Sequence, residues 1–280
     1  MQRKASRLSR AVASSAFLLA LVLWFASPGL AAAKSNAALV GPKAYYLALG
    51  DSLAYGLQPN LDNDDGYADD FYTNLQSHGV THYANLGCPD ETTKTMIDGG
   101  CPASILRKYP YLGPQLQAAV HFLHKHAGQV SPVTLDIAAN DLIPDLNTST
   151  CTIRSSWASD LATVDTNLTT IILPQLVAAM TVNGQVTGDL FLMNYYDPYQ
   201  NLCPNTVPYI QLVNQHLLAD ARGYATIADV FDPFGGAVTP NPNICAYTWM
   251  CNDPIKLLAI HATDTGYSVM ANAFEQAAGY

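Results

Sequence analysis

Short apolar runs alternate with amphipathic stretches along most of this chain, and that alternation restricts the fold more than any other feature. The runs are Ala44–Leu49, Val80–Asn85, Pro132–Ala138, Asp189–Tyr195 and Ala225–Val230. Between them the spacing of apolar positions predicts helices over Tyr67–Ser77, Pro114–His126, Ser155–Val182 and Val207–Arg222, with a last one over Asp264–Ala278. Strands that alternate with helices in this way argue for an α/β domain with a central parallel sheet covered on both faces. No internal repeat or long low-complexity linker divides the pattern. Ligands in such open sheets bind beyond the carboxyl ends of the strands, near the point where strand order reverses. The loops to inspect are therefore Gly50–Gly66, Gly87–Gly100, Ala139–Thr150 and the irregular Phe231–Ile260.

The N-terminus reads differently. Arg3, Lys4, Arg7 and Arg10 precede an apolar run from about Ala11 to Phe25, followed by Ala31-Ala32-Ala33. That is the pattern of a secretory signal peptide over residues 1–33, leaving one domain over 34–280 and an exported protein. A retained membrane anchor is the competing reading, but the apolar part is short for a span and contains Ser14 and Ser15. Cleavage leaves 9 Lys and Arg against 22 Asp and Glu, a formal charge of −13. So acidic a surface repels nucleic acid and anionic lipid. Six cysteines in a chain bound for an oxidising compartment suggest disulfides. Sequence neighbours suggest Cys88 with Cys101, Cys151 with Cys203 and Cys245 with Cys251, although other connectivities stay open. No C-x-x-C pair supports a zinc site.

Three positions carry potential chemistry. Ser52, in "YYLALGDSLAYG", follows a greasy run at a sharp strand-to-loop turn, where its Oγ and its own N–H can face one ligand atom. A hydroxyl needs a base and oxyanion donors before it becomes a nucleophile. His261, in "LAIHATDTGY", stands just before the last helix and can supply the base. Asn140 follows the apolar run "VTLDIAA" and can donate its amide to an oxyanion. The bland readings are a capped turn, a satisfied loop histidine and a helix N-cap.

Taken together, "GDSL" at Gly50–Leu53, "NLGCPDETT" at Asn85–Thr93, "DIAAND" at Asp136–Asp141 and "IHATDTGY" at Ile260–Tyr267 resemble the four blocks of the secreted SGNH (GDSL-type) hydrolases, in order and across essentially the whole exported chain. The resemblance implies a flavodoxin-like three-layer α/β/α sandwich and ester hydrolysis without metal or cofactor. It implies Ser52 as nucleophile and His261 as base, with an oxyanion hole from Ser52, Asp90 and Asn140. A monomer acting on small-molecule, lipid or acetylated-glycan esters is expected.

The sequence departs from the family's pattern in three places. Asp90 and Ala138 stand where the blocks usually have glycine, and Ala259 and Leu258 stand where an acid usually precedes the histidine. Asp264 and Asp253 are acids near in sequence, of which Asp264 is expected to cap the last helix. These departures motivate an alternative: a weakened or inactive protein that keeps an ester-, lipid- or sugar-binding cleft. Among aromatics at loop edges, Tyr55, Tyr195 and Trp249 are the candidate substrate wall. His121 and His124 offer helical i, i+3 spacing, and Leu61–Asp70 resembles a calcium loop loosely; solvated helix residues explain both more simply.

Overall fold

The computed structural model describes residues 39–252 and 258–280, so the expected signal peptide and Asp253 lie outside the described residues. The five predicted strands form one parallel sheet in the order β2-β1-β3-β8-β9. They are β1 (Tyr45–Gly50), β2 (His82–Asn85), β3 (Val130–Asp136), β8 (Leu190–Met193) and β9 (Thr226–Ala228). Between β3 and β8 the chain adds two small hairpins, β4 (Leu146–Asn147) with β5 (Thr152–Ile153) and β6 (Thr181–Val182) with β7 (Gln185–Val186). Pro132 lies in a central strand, where its missing N–H should cost a ladder bond. The β1–β3 register shifts at this point, between Tyr45 and Leu47, and an irregularity of that kind tolerates proline.

The helices are α1 (Ser52–Tyr55), α2 (Tyr67–Gln76), α3 (Thr93–Asp98), α4 (Gln115–Lys125), α5 (Ala139–Leu142), α6 (Trp157–Asn167), α7 (Leu173–Ala179), α8 (Val207–Asp220), α9 (Pro242–Tyr247) and α10 (Asp264–Ala278). α2 packs against α10, with Tyr67 stacked on Phe274 at 4.8 Å, while α3, α4, α6 and α7 pack among themselves. The sheet between them has no exposed residue in β1, β3 or β8. This is the three-layer α/β/α arrangement expected from the alternation.

One predicted helix changes shape. Ser155–Val182 was expected to be continuous; instead α6 and α7 are joined by a π-helical turn over Leu168–Ile172, and Thr181–Val182 turn into the β6–β7 hairpin. Pro174 explains the turn: it has no N–H for the α-helical ladder, and a wider turn absorbs the missing bond. Disulfides join Cys88 to Cys101, Cys151 to Cys203 and Cys245 to Cys251. No described helix is long and apolar enough to cross a membrane.

Candidate active site

The end of β1 is built to display Ser52. Gly50 has φ +137°, and a Cβ there would overlap the Asp136 backbone oxygen of the neighbouring strand, so only glycine lets β1 close on β3. Gln115, from α4, then treats Gly50 as a sheet partner: its Oε1 accepts from Gly50 N and its Nε2 donates to Gly50 O, both at 2.8 Å. Asp51 caps the short helix that follows, accepting from Leu53 N at 2.9 Å. Ser52 is thereby the first residue of a helix, and its N–H has no acceptor among the described residues.

His261 Nε2 lies 2.9 Å from Ser52 Oγ, and its Nδ1 lies 2.8 Å from the Leu258 carbonyl. A carbonyl can only accept, so Nδ1 carries the proton and Nε2 presents its lone pair to the serine hydroxyl. That is the tautomer a general base needs. Leu258 occupies one of the places where an acid was expected, and it orients the imidazole with its backbone. The loop is held from behind: Tyr196 Oη donates to Ile260 O at 2.5 Å, and Trp249 N donates to His261 O at 3.1 Å. The imidazole is 5% exposed.

Asn140 sits inside α5, whose N-cap is Ala138, so the amide does not cap the helix. Its Nδ2 donates to Glu91 O at 2.9 Å, which steadies the amide and leaves its second hydrogen free to point elsewhere. Asp90 lies in the same turn as Glu91. The turn is tied to β1 by Cys88 N, which donates to Gly50 O at 3.1 Å. The Asp90 side chain is exposed, and its N–H meets no acceptor among the described residues.

Both unusual residues adopt the conformation a glycine would favour. Asp90 has φ +66°, a left-handed value that Asp tolerates, whereas Ala138 has φ +121° with ψ −22°, which a Cβ makes costly. Ala138 is fully buried between β3 and α5.

Beneath Ser52 lies a feature outside the sequence expectations. Asp51 and Asp136 are both buried, and their carboxyl groups face each other. Asp136 Oδ2 accepts from Asp51 N at 3.2 Å and Ala54 N at 3.3 Å, and Oδ1 accepts from Tyr67 Oη at 2.5 Å. Burial pushes Asp51 up to about 6. Burial, and then the charge of Asp51, hold Asp136 well above the usual carboxylate range. The pair therefore keeps a proton that two unfolded aspartates would lose. Glu91 is similar: burial pushes it up to about 7, and Gln115 Nε2 donates to it at 3.1 Å. An acid inside the apolar run "VTLDIAA" was the available signal for Asp136.

A cleft of about 880 Å³, counting its mouth, opens beside Ser52, Asn140 and His261. Tyr195, two residues beyond β8, lines it; Asn214 clamps the Tyr195 backbone at both N and O, and the buried hydroxyl has no partner among the described residues. The other two expected wall residues face elsewhere. Tyr55 is buried at the end of α1, with Lys108 5.4 Å from its ring, and Trp249 donates from Nε1 to Gln58 at 3.2 Å. Both are consumed in bracing the loops around the site. Asp264 also differs from expectation: Thr263 caps α10, and Asp264 accepts from Gln58 at 2.7 Å.

This sheet order, with Ser, Asn and His brought together at its carboxyl end, defines a class: the fold is that of the SGNH, or GDSL-type, hydrolases. Among solved structures the chain is similar to the acetylxylan esterase Axe2 from Geobacillus stearothermophilus, at 14% identity and TM-score 0.56 over 87% of this chain and 97% of that one. A putative GDSL-like lipase from Parabacteroides merdae aligns at 15% identity and TM-score 0.56, over 86% and 98% of the two chains. TesA aligns at 16% and 0.51, over 83% and 97%. No family model matches the chain, and no curated protein matches it.

Proposed function

We propose that the protein is an exported serine ester hydrolase, acting through Ser52 with His261 as general base. The observation that carries this reading is the Ser52 Oγ to His261 Nε2 contact of 2.9 Å, combined with a carbonyl on Nδ1 that selects the basic tautomer. In the first step Nε2 takes the hydroxyl proton while Oγ bonds to the ester carbon. The oxyanion is received by the N–H groups of Ser52 and Asp90 and by Asn140 Nδ2. Collapse breaks the bond to the alcohol oxygen, which takes the proton from the imidazolium. Water then repeats the cycle on the acyl-enzyme and releases a carboxylic acid. The three disulfides suit the oxidising compartment that an N-terminal export signal implies.

The alternative, a protein that keeps the cleft without the chemistry, draws on Ala138 and Asp90. Both residues already hold the backbone shape a glycine would adopt, so the substitutions are accommodated and the catalytic reading is favoured. The test is labelling by a fluorophosphonate probe and turnover of p-nitrophenyl esters, wild type against Ser52→Ala. Loss of the nucleophile should remove labelling and lower kcat by several orders of magnitude, up to about 10⁶ as in serine proteases. Equal labelling of the two proteins would rule Ser52 out.

A further inference from the structure

Beside the catalytic groups, the cleft is walled by residues remote in sequence. Ile143 and Leu146 follow α5, Ile153 lies on β5, and Tyr209, Ile210 and Val213 come from α8. The exposed lining of this wall is mainly apolar and several of its polar groups are spent on one another, while the buried Tyr195 hydroxyl has no partner among the described residues. Asp197 accepts from Thr206 Oγ1 at 2.6 Å and from Tyr199 N at 2.9 Å, and Tyr196 Oη is committed to Ile260 O. A sugar needs a partner for most of its hydroxyls, because each buried unpaired one costs free energy. A hydrocarbon chain needs only apolar area, and Ile143, Leu146, Ile153, Ile210 and Val213 supply it along this wall.

Two features bound the space. Trp157, at the start of α6, meets Tyr209 edge to face at 4.9 Å, and both line the cleft. The Cys151–Cys203 disulfide ties the turn of the β4–β5 hairpin to the segment leading into α8, joining the two walls that contribute Ile153 and Tyr209.

We propose that this cleft holds the acyl part of the substrate, and that the protein acts on esters of linear, medium-length apolar acids in preference to acetylated sugars. The Trp157–Tyr209 contact and the Cys151–Cys203 staple set the upper chain length. The proposal rests on Ser52 as the nucleophile, and its test separates the two claims.

The experiment measures kcat/KM on monomeric p-nitrophenyl esters from acetate to laurate, beside acetate release from an acetylated xylooligosaccharide. Each methylene that enters the cleft should add about fourfold. Octanoate, six methylenes longer than acetate, should then exceed it by up to about 4,000-fold, with a fall at longer chains. Tyr209→Ala, at a residue 36% exposed, should move the optimum to longer acids, and so should the double variant Cys151→Ser/Cys203→Ser. Calorimetry with decanoate on the Ser52→Ala protein reads acyl binding without chemistry. Binding of decanoate without turnover of any ester by the wild type would leave the acyl site standing and remove Ser52 as nucleophile. Ser52-dependent turnover with acetate or the acetylated sugar preferred, and no decanoate binding, would overturn the acyl site alone.

Discussion

Replacing Asp51 by Asn offers a direct test of the buried carboxyl pair. Asn is as good an N-cap as Asp, so its Oδ1 keeps the bond from Leu53 N, and its Nδ2 stands where Asp51 Oδ2 now has no partner, facing Asp136. What changes is the titration. Asp51 is raised from 3.8 to about 6 by burial, so the folded chain holds a proton that the unfolded chain has already released. A group held protonated by the fold contributes stability that is complete below its unfolded pKa and is lost as pH rises through the folded one. At 1.36 kcal/mol per unit, two units amount to about 3 kcal/mol lost by the wild type between roughly pH 4 and pH 6. Asn has nothing to titrate, so the stability of Asp51→Asn relative to wild type should grow by about that amount across the window. In a domain of this size that is about 6–12 °C in Tm. Urea unfolding at half-unit steps from pH 4 to 8, followed by circular dichroism, measures the difference. Any constant offset from altered hydrogen bonding drops out, and Glu91 titrates equally in both proteins. Asp136, relieved of the Asp51 charge, holds its proton less tightly in the variant, which can only widen the difference in the same direction. Curves that stay parallel within about 1 kcal/mol would refute a proton held by the Asp51–Asp136 pair beneath Ser52.

Three further outcomes follow from the site. Ala138→Gly relieves a positive φ that costs an alanine about 1–3 kcal/mol, against roughly 0.5–1 kcal/mol of extra chain entropy, so thermal unfolding should shift up by a few degrees. Asn140→Ala removes the amide proposed as an oxyanion donor and should lower kcat by about 10²–10³ with little change in KM, read by steady-state kinetics on one ester. Asp90→Gly leaves the backbone donor in place and removes only an exposed charge; kcat/KM should change by less than about tenfold, and a rise of several orders of magnitude would show that Asp90 disables the oxyanion hole.

Much of the fold was legible because a parallel sheet leaves a simple trace. Strands buried on both faces read as short apolar runs, and α10 emerged at its observed bounds because Tyr267, Met270, Ala271 and Phe274 mark one buried face. The long helix was misread across Leu168–Ile172 because helical periodicity does not register one wider turn, though Pro174 was a warning. Aromatic residues at loop edges were a poor guide to the cleft. Tyr55 and Trp249 share composition and position with Tyr195, and only the direction of each side chain separates brace from wall.

From the sequence alone came the α/β class, the order of the strands along the chain and the identity of Ser52, Asn140 and His261 as a set worth testing. These depend on local pattern and on residue chemistry, which a chain displays without folding. Tertiary structure alone decided which imidazole nitrogen carries the proton, through the Leu258 carbonyl, and it alone set Asp136 against Asp51 and closed the apolar wall around the cleft. Those properties arise from groups distant in sequence meeting in a dry interior, where a backbone carbonyl, a lost hydration shell or a neighbouring charge acts only once the fold has brought it within a few ångströms.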